Sequence, residues 1–206
     1  MNFNLQGLVI SLPAILLALS IHEFAHGYAA YRLGDMTPKH QGRLTLNPLA
    51  HLDPIGTIML IIAHFGWAKP VMVNPNNFRG NKQKGMMIVA LAGPLSNVLL
   101  AIIAGIIYNL LIKFNVSYFW LLLVQYLIII DINLAIFNLI PVPPLDGSKI
   151  LAGILPYKMH HLIYQLEAYG PIILILLLVT GAFSTIFGPL RDGLLDLVMF
   201  ISGLVI

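Results

Sequence analysis

The stretch LQGLVISLPAILLALSIHEFAHGYAAYRL, residues 5–33, decides how this chain is read. No charged side chain occurs in residues 1–21, and then His22, Glu23 and His26 arrive together. At 1.5 Å per residue a helix of this stretch is about 43 Å long, enough to cross a bilayer with some over. Pro13 can kink it, and Gly34-Asp35 ends it. Ionisable groups in hydrocarbon are expensive, so three of them in the C-terminal third of a spanning helix point to a site.

The spacing says which site. Positions i and i+4 share one face of a helix, so His22 and His26 can aim a ring nitrogen at one metal ion. Glu23 lies beside them, where it can take a proton from water at that metal. This is the His-Glu-x-x-His pattern of zinc hydrolases.

Composition places the motif in a membrane. The chain of 206 residues is 59% hydrophobic and 9% charged, against roughly 25% charged in soluble domains. That length makes one domain, residues 1–206, without room for an added soluble module. Without cysteine there is no disulfide and no thiolate ligand for zinc. The first apolar segment lacks the basic start and small-residue cleavage site of a signal peptide. The net charge of +3 is modest. The bilayer is the expected partner, and nucleic acid is not.

Further apolar segments cover about residues 86–112, 118–140 and 162–182, with a 13-residue apolar tail, Leu194 to Ile206. The predicted fold is an all-α polytopic membrane protein with about four spanning helices and a short C-terminal helix. Between the first and second spans, residues 35–85 are rich in proline and glycine. Ile55 to Phe65 is apolar but too short to span, and reads as a buried or re-entrant piece. Val71-Met72-Val73 between Pro70 and Pro75 suggests extended backbone, so a small membrane-associated β or re-entrant segment is expected here. Lys39, Arg43, Lys69, Arg79, Lys82 and Lys84 make this loop basic, and the positive-inside rule places it in the cytoplasm. His22, His26 and Asp146 then lie toward the cytoplasmic face.

Catalytic zinc takes three protein ligands and keeps a position open. Asp146 is the strongest third ligand. It follows the break Pro141-Val142-Pro143-Pro144 at a membrane boundary; alternatively it only caps the helix restarting there. Glu167 belongs to no motif, His160-His161 reads as a boundary pair, and His40 and His64 read as loop histidines. Asp131 is expected to face the interior, where it could pair with a polar neighbour, and the sequence assigns it no role. His51 and Asp53 read as parts of a hydrogen-bonded loop, with a second metal site as the less favoured alternative.

Five blocks together resemble the site-2 protease family of intramembrane zinc metalloproteases: HEFAHGYAA (22–30), GRLTLNPLAHLDPIGT (42–57), GWAKPVMVNP (66–75), AGPLSN (92–97) and FNLIPVPPLDG (137–147). The chain is similar to the short branch that has neither PDZ nor CBS domains. The resemblance implies one Zn2+ per chain held by His22, His26 and Asp146, with Glu23 as the catalytic carboxylate. It implies a catalytic role for Asn138 near the reacting carbonyl, where an amide could donate to an oxyanion; a helix–helix hydrogen bond is the plainer alternative. It also implies an endopeptidase acting on a membrane-anchored protein with a transmembrane helix, in the plasma membrane. Two other readings compete: a zinc protein of the membrane that does not cut, and a metal or proton transporter. Such transporters often carry inverted repeats, and the chain has none that is convincing.

Overall fold

The computed structural model describes residues 5–63 and 66–205. The loop-histidine assignment of His64, and Phe65 as the end of its apolar segment, lie outside the described residues. In chain order the α-helices are α1 (Leu5–Arg32), α2 (Thr37–His40), α3 (Pro54–Ala63), α4 (Lys82–Lys113), α5 (Tyr118–Leu139), α6 (Asp146–Ile154), α7 (His160–Val179) and α8 (Ala182–Gly203). Of these, α1, α4 and α5 are long and apolar enough to cross a membrane, and α7 with α8 form a bent pair that can make a fourth crossing.

The faces of α4 show how the bilayer acts as solvent. Leu95, Leu99, Ile103 and Ile107 recur every fourth residue and are exposed at the protein surface, where lipid receives them. On the opposite side Gly93, Asn97, Ala101, Ala104 and Gly105 are buried. Lipid offers large apolar side chains no reason to turn inward, so the interior takes small residues that let backbones approach. Ala14 and Ala18 of α1 meet Ala101 and Ala104 of α4. Val124, Leu127, Ile128, Ile132 and Ile136 of α5 and Val198 of α8 complete this core.

Local chemistry sets the breaks. The Asn81 side chain accepts from the Lys84 N–H at 2.9 Å and starts α4. Pro141 follows Ile140 and stops α5, because it has no N–H to continue the ladder. The chain then doubles back within Ile140–Leu145 and restarts at Asp146. The turn is so tight that a Cβ on Gly147 would sit 2.3 Å from the carbonyl oxygens of both Leu139 and Ile140. Only glycine lets Asp146 restart a helix there. The Gln83 amide of α4 donates to the carbonyls of Ala152 at 2.6 Å and Leu155 at 2.9 Å, tying down the far end of α6.

Two expectations need correction. Among the described residues there is no strand between α1 and α4, only an isolated antiparallel bridge between Leu52 and Ala68. Pro54 and Pro70 flank it and carry no N–H, so the pairing cannot extend. The short apolar segment forms α3, too short to span, with Ile55 65% exposed and Gly56 buried. Its ten residues make about 15 Å of helix, half of a bilayer core. The C-terminal helix is not a short piece from residue 194: α8 begins at Ala182, right after Gly181 at φ 70°. It runs through Pro189, Arg191 and Asp192, the residues that interrupt the apolar pattern. Burial of Val198 and Ser202 against α4 holds it in place.

Candidate metal centre

The histidines of α1 and the aspartate of α6 come together. His22 Nε2 is 3.2 Å and His26 Nε2 3.0 Å from Asp146 Oδ2. The two Nε2 atoms are 3.0 Å apart. All three side chains are buried. Among the described residues this is the one group of three His, Asp or Glu side chains with the spacing of a metal site.

The hydrogen bonds behind the rings decide what faces the centre. His26 Nδ1 lies 2.7 Å from the Val89 carbonyl oxygen. A carbonyl only accepts, so Nδ1 carries the proton and a neutral His26 presents a bare Nε2 lone pair. His22 Nδ1 lies 2.6 Å from Asn97 Oδ1, again an acceptor, so its Nε2 is bare too. Two nitrogen lone pairs and a carboxylate oxygen therefore point at one spot with no proton among them. Acceptors crowded like this repel unless a cation sits between them. Tetrahedral zinc at about 2.05 Å from its ligands needs ligand atoms about 3.3 Å apart. The observed edges of 3.0 to 3.2 Å fit that requirement. The other oxygen, Asp146 Oδ1, faces Lys149 Nζ at 3.4 Å, which favours the ionised carboxylate.

Helix α4 passes directly behind the rings. A Cβ on Gly93 would lie 2.5 Å from the His26 ring and 2.6 Å from His22. The glycine of the 92–97 block is thus a space requirement of the histidines.

Glu23 is half-buried beside the pair, and its Oε2 accepts the Val71 N–H at 3.0 Å. That amide belongs to the extended stretch that follows the Ala68 bridge. One end is held by the Lys69 N–H on the His51 carbonyl at 2.8 Å. The other end is held by Asp35: Oδ2 accepts the Asn74 N–H at 2.7 Å and Oδ1 accepts the Asn77 amide at 2.8 Å. Burial alone would raise the Asp35 pKa, but these bonds and those from Thr37 hold it below the ordinary carboxylate value. The clamp is therefore in place above that range and weakens as the pH falls through the folded pKa.

Other candidates lie elsewhere. Asn138 donates to the Leu134 carbonyl of its own helix at 3.0 Å and makes no hydrogen bond to the trio. The His51 ring sits at the Thr45 carbonyl, 2.8 Å from Nε2, and Asp53 Oδ1 accepts the Gly56 N–H at 2.8 Å at the start of α3, so both serve the loop. Glu167 and His40 are exposed, and His161 bonds to the Lys158 carbonyl at 3.0 Å. Asp131 does find a polar neighbour, Asn97, at 2.6 Å. Sequence reasoning missed Asn97 as the partner of His22. Its signal was a lone amide inside a spanning helix, next to Gly-Pro. The Val89 carbonyl had no signal, since any residue supplies one.

Comparison with known proteins agrees. The model of Peptidase family M50 matches residues 112–180, which include Asn138 and Asp146. The chain is 41% identical over 193 residues to "Putative zinc metalloprotease YwhC" of Bacillus subtilis, covering 89% of this chain and 88% of that protein. It is 30% identical over 184 residues to "Putative zinc metalloprotease Rip2" of Mycolicibacterium smegmatis, covering 87% of this chain and 70% of that one. "Putative zinc metalloprotease MJ0611" of Methanocaldococcus jannaschii is 28% identical over 154 residues, 73% of each chain. No solved structure matches. With a relative this similar along nearly its whole length, and a metal-type triad drawn from its first spanning helix and α6, the chain belongs to peptidase family M50, the site-2 protease family of zinc metallopeptidases.

Proposed function

We propose that this membrane zinc metalloendopeptidase hydrolyses a peptide bond in or near the transmembrane segment of a membrane-anchored protein, with His22, His26 and Asp146 holding one zinc ion. The observation that carries the reading is the convergence of two bare imidazole nitrogens and a carboxylate oxygen in a buried place on a spanning helix. A zinc ion there supplies Lewis acidity to the scissile carbonyl and makes water a nucleophile near neutral pH.

The chain's own residues do the rest. Glu23 takes the proton from the attacking water and passes it to the leaving amine. The Val71 N–H fixes one of its oxygens, so the base does not have to be ordered during the reaction. Asn138 spends one amide N–H on Leu134; the second is its means of donating to the developing oxyanion. A helical substrate hides its carbonyls in i to i−4 bonds and has to unwind. The extended stretch through Val71 offers a partner for the unwound form.

On this proposal, this end of the protein lies toward the cytoplasm, in the plasma membrane; the basic residues of the 35–85 loop support that orientation. The test uses the purified full chain in liposomes with a model single-span substrate. Cleavage that requires zinc and stops with a chelator supports the reading. A zinc-loaded protein that leaves every single-span substrate intact while cutting soluble peptides overturns it.

A further inference from the structure

One buried acid has no part in the chemistry above. Asp131 of α5 is fully buried, in a spanning helix, and bonds to no metal-ligand candidate. Its Oδ1 accepts the Asn97 Nδ2–H at 2.6 Å, while its Oδ2 has no hydrogen-bond partner. The same Asn97 amide donates to the Ala18 carbonyl of α1 at 3.2 Å, and its Oδ1 faces His22 Nδ1 at 2.6 Å. Three helices thus meet at one amide.

An asparagine amide has one acceptor end and one donor end, and the ends are told apart only by what surrounds them. Here the donor end meets two oxygens. Ala18 contributes a carbonyl, which cannot donate. Asp131 accepts through Oδ1 whether it is ionised or carries a proton on Oδ2. Turning the amide over would set oxygen against both. The Nδ2 end is therefore locked toward Asp131 and Ala18, and the Oδ1 end toward His22. His22 must then carry its proton on Nδ1, and its Nε2 is free to bind metal. We infer that Asp131 is a positioning residue for the metal centre: through Asn97 it selects the ring orientation and proton position in which His22 can ligate zinc.

The inference rests on His22 being a zinc ligand, but it concerns a group outside the site and does not follow from the family's motif blocks. It also accounts for an otherwise costly feature. A buried carboxyl with one partner in a lipid-surrounded core has to be compensated, and fixing a metal ligand is a use that an apolar side chain could not serve.

The test is a variant set on the full chain in detergent, with two readouts: zinc affinity by competition with a chelator, and the His22 tautomer in metal-free protein by ring nitrogen NMR, assigned from the spectrum of His22→Ala. Asp131→Ala should lower zinc affinity about 10- to 100-fold, the usual cost of losing an outer partner of a ligand. It should also convert His22 from the Nδ1–H form to a mixture. Ile132→Ala, the neighbouring buried residue, should change neither. Asp131→Leu, without an acceptor, should lose both readouts, whereas Asp131→Asn, which still turns an oxygen toward the Asn97 amide, should restore them. A purely structural Asp131 would not give that rescue.

The inference is overturned by an Asp131→Ala protein with wild-type affinity and tautomer, or by an Asp131→Asn protein no better than Asp131→Leu. If Asp131→Ala does not fold, the Asn and Leu variants decide between them. A wild-type protein without zinc affinity would overturn the ligand assignment instead, and the tautomer readout would still judge Asp131.

Discussion

Among the described residues, His26 with Asp146 and His51 with Asp53 each set a histidine near an aspartate, and the first of these pairs has the spacing of a metal site. At His26 a backbone carbonyl takes the Nδ1 proton, and the opposite nitrogen points 3.0 Å from Asp146. At His51 the Thr45 carbonyl takes Nε2, and Nδ1 is left in a buried spot without a hydrogen-bond partner. Its neighbour Asp53 is turned away to cap α3. Residue types and rough proximity are the same. What differs is where the carboxylate looks: at Asp146 it closes a triangle of acceptors, at Asp53 it satisfies backbone donors. A metal site is thus recognised by acceptors that lack protons, not by a count of histidines.

The comparison can be broken in several ways. The largest expected effect is at the triangle itself. Asp146→Ala leaves two ligands and an open face, so bound zinc measured by atomic absorption should disappear, and cleavage with it; retained zinc would mean that the third ligand is another residue. Next is Glu23→Gln, which keeps the ligand set and the Val71 contact but cannot take a proton. Zinc content should be unchanged while turnover falls by about 100- to 10,000-fold, the usual contribution of general acid–base catalysis. Full activity in that variant would remove Glu23 as the base.

The loop is expected to answer differently. His51→Ala removes the bond to the Thr45 carbonyl inside a buried loop, at a cost of about 1–3 kcal/mol in stability. Zinc stoichiometry should stay at one per chain; a fall in stoichiometry to below that of wild type would make His51 a ligand and erase the contrast. The smallest effect belongs to Asp53→Ala. It loses an N-cap bond to Gly56, worth about 1 kcal/mol, and should show only as a small drop in thermal midpoint with unchanged turnover.

Legibility in the sequence was uneven, for physical reasons. The spacing of His22 and His26 fixed a shared helix face, and Pro141 to Pro144 marked the break that precedes Asp146. Both are local features. The extended stretch was visible in Pro70 and Pro75, but not that its pairing stops at one bridge. The length of α8 was hidden because Arg191 and Asp192 break the apolar run. That helix is held by contacts with α4, which belong to no window of sequence. Asn97 stood in plain view as a polar residue in a span, yet its partner could be any of several groups until three helices were placed together.

The sequence by itself determined that this chain lives in a membrane, that the third span breaks at Pro141, and which side chains are candidates to bind metal. These follow from composition, helical period and the chemistry of proline and histidine. Only the tertiary structure decided that α4 runs close enough behind the rings for Gly93 to be required, that Val89 and Asn97 take the two Nδ1 protons, and that Asp131 stands behind Asn97. The reason is that a proton's position on an imidazole depends on the acceptor facing it, and here each acceptor comes from a helix other than the one carrying the ring.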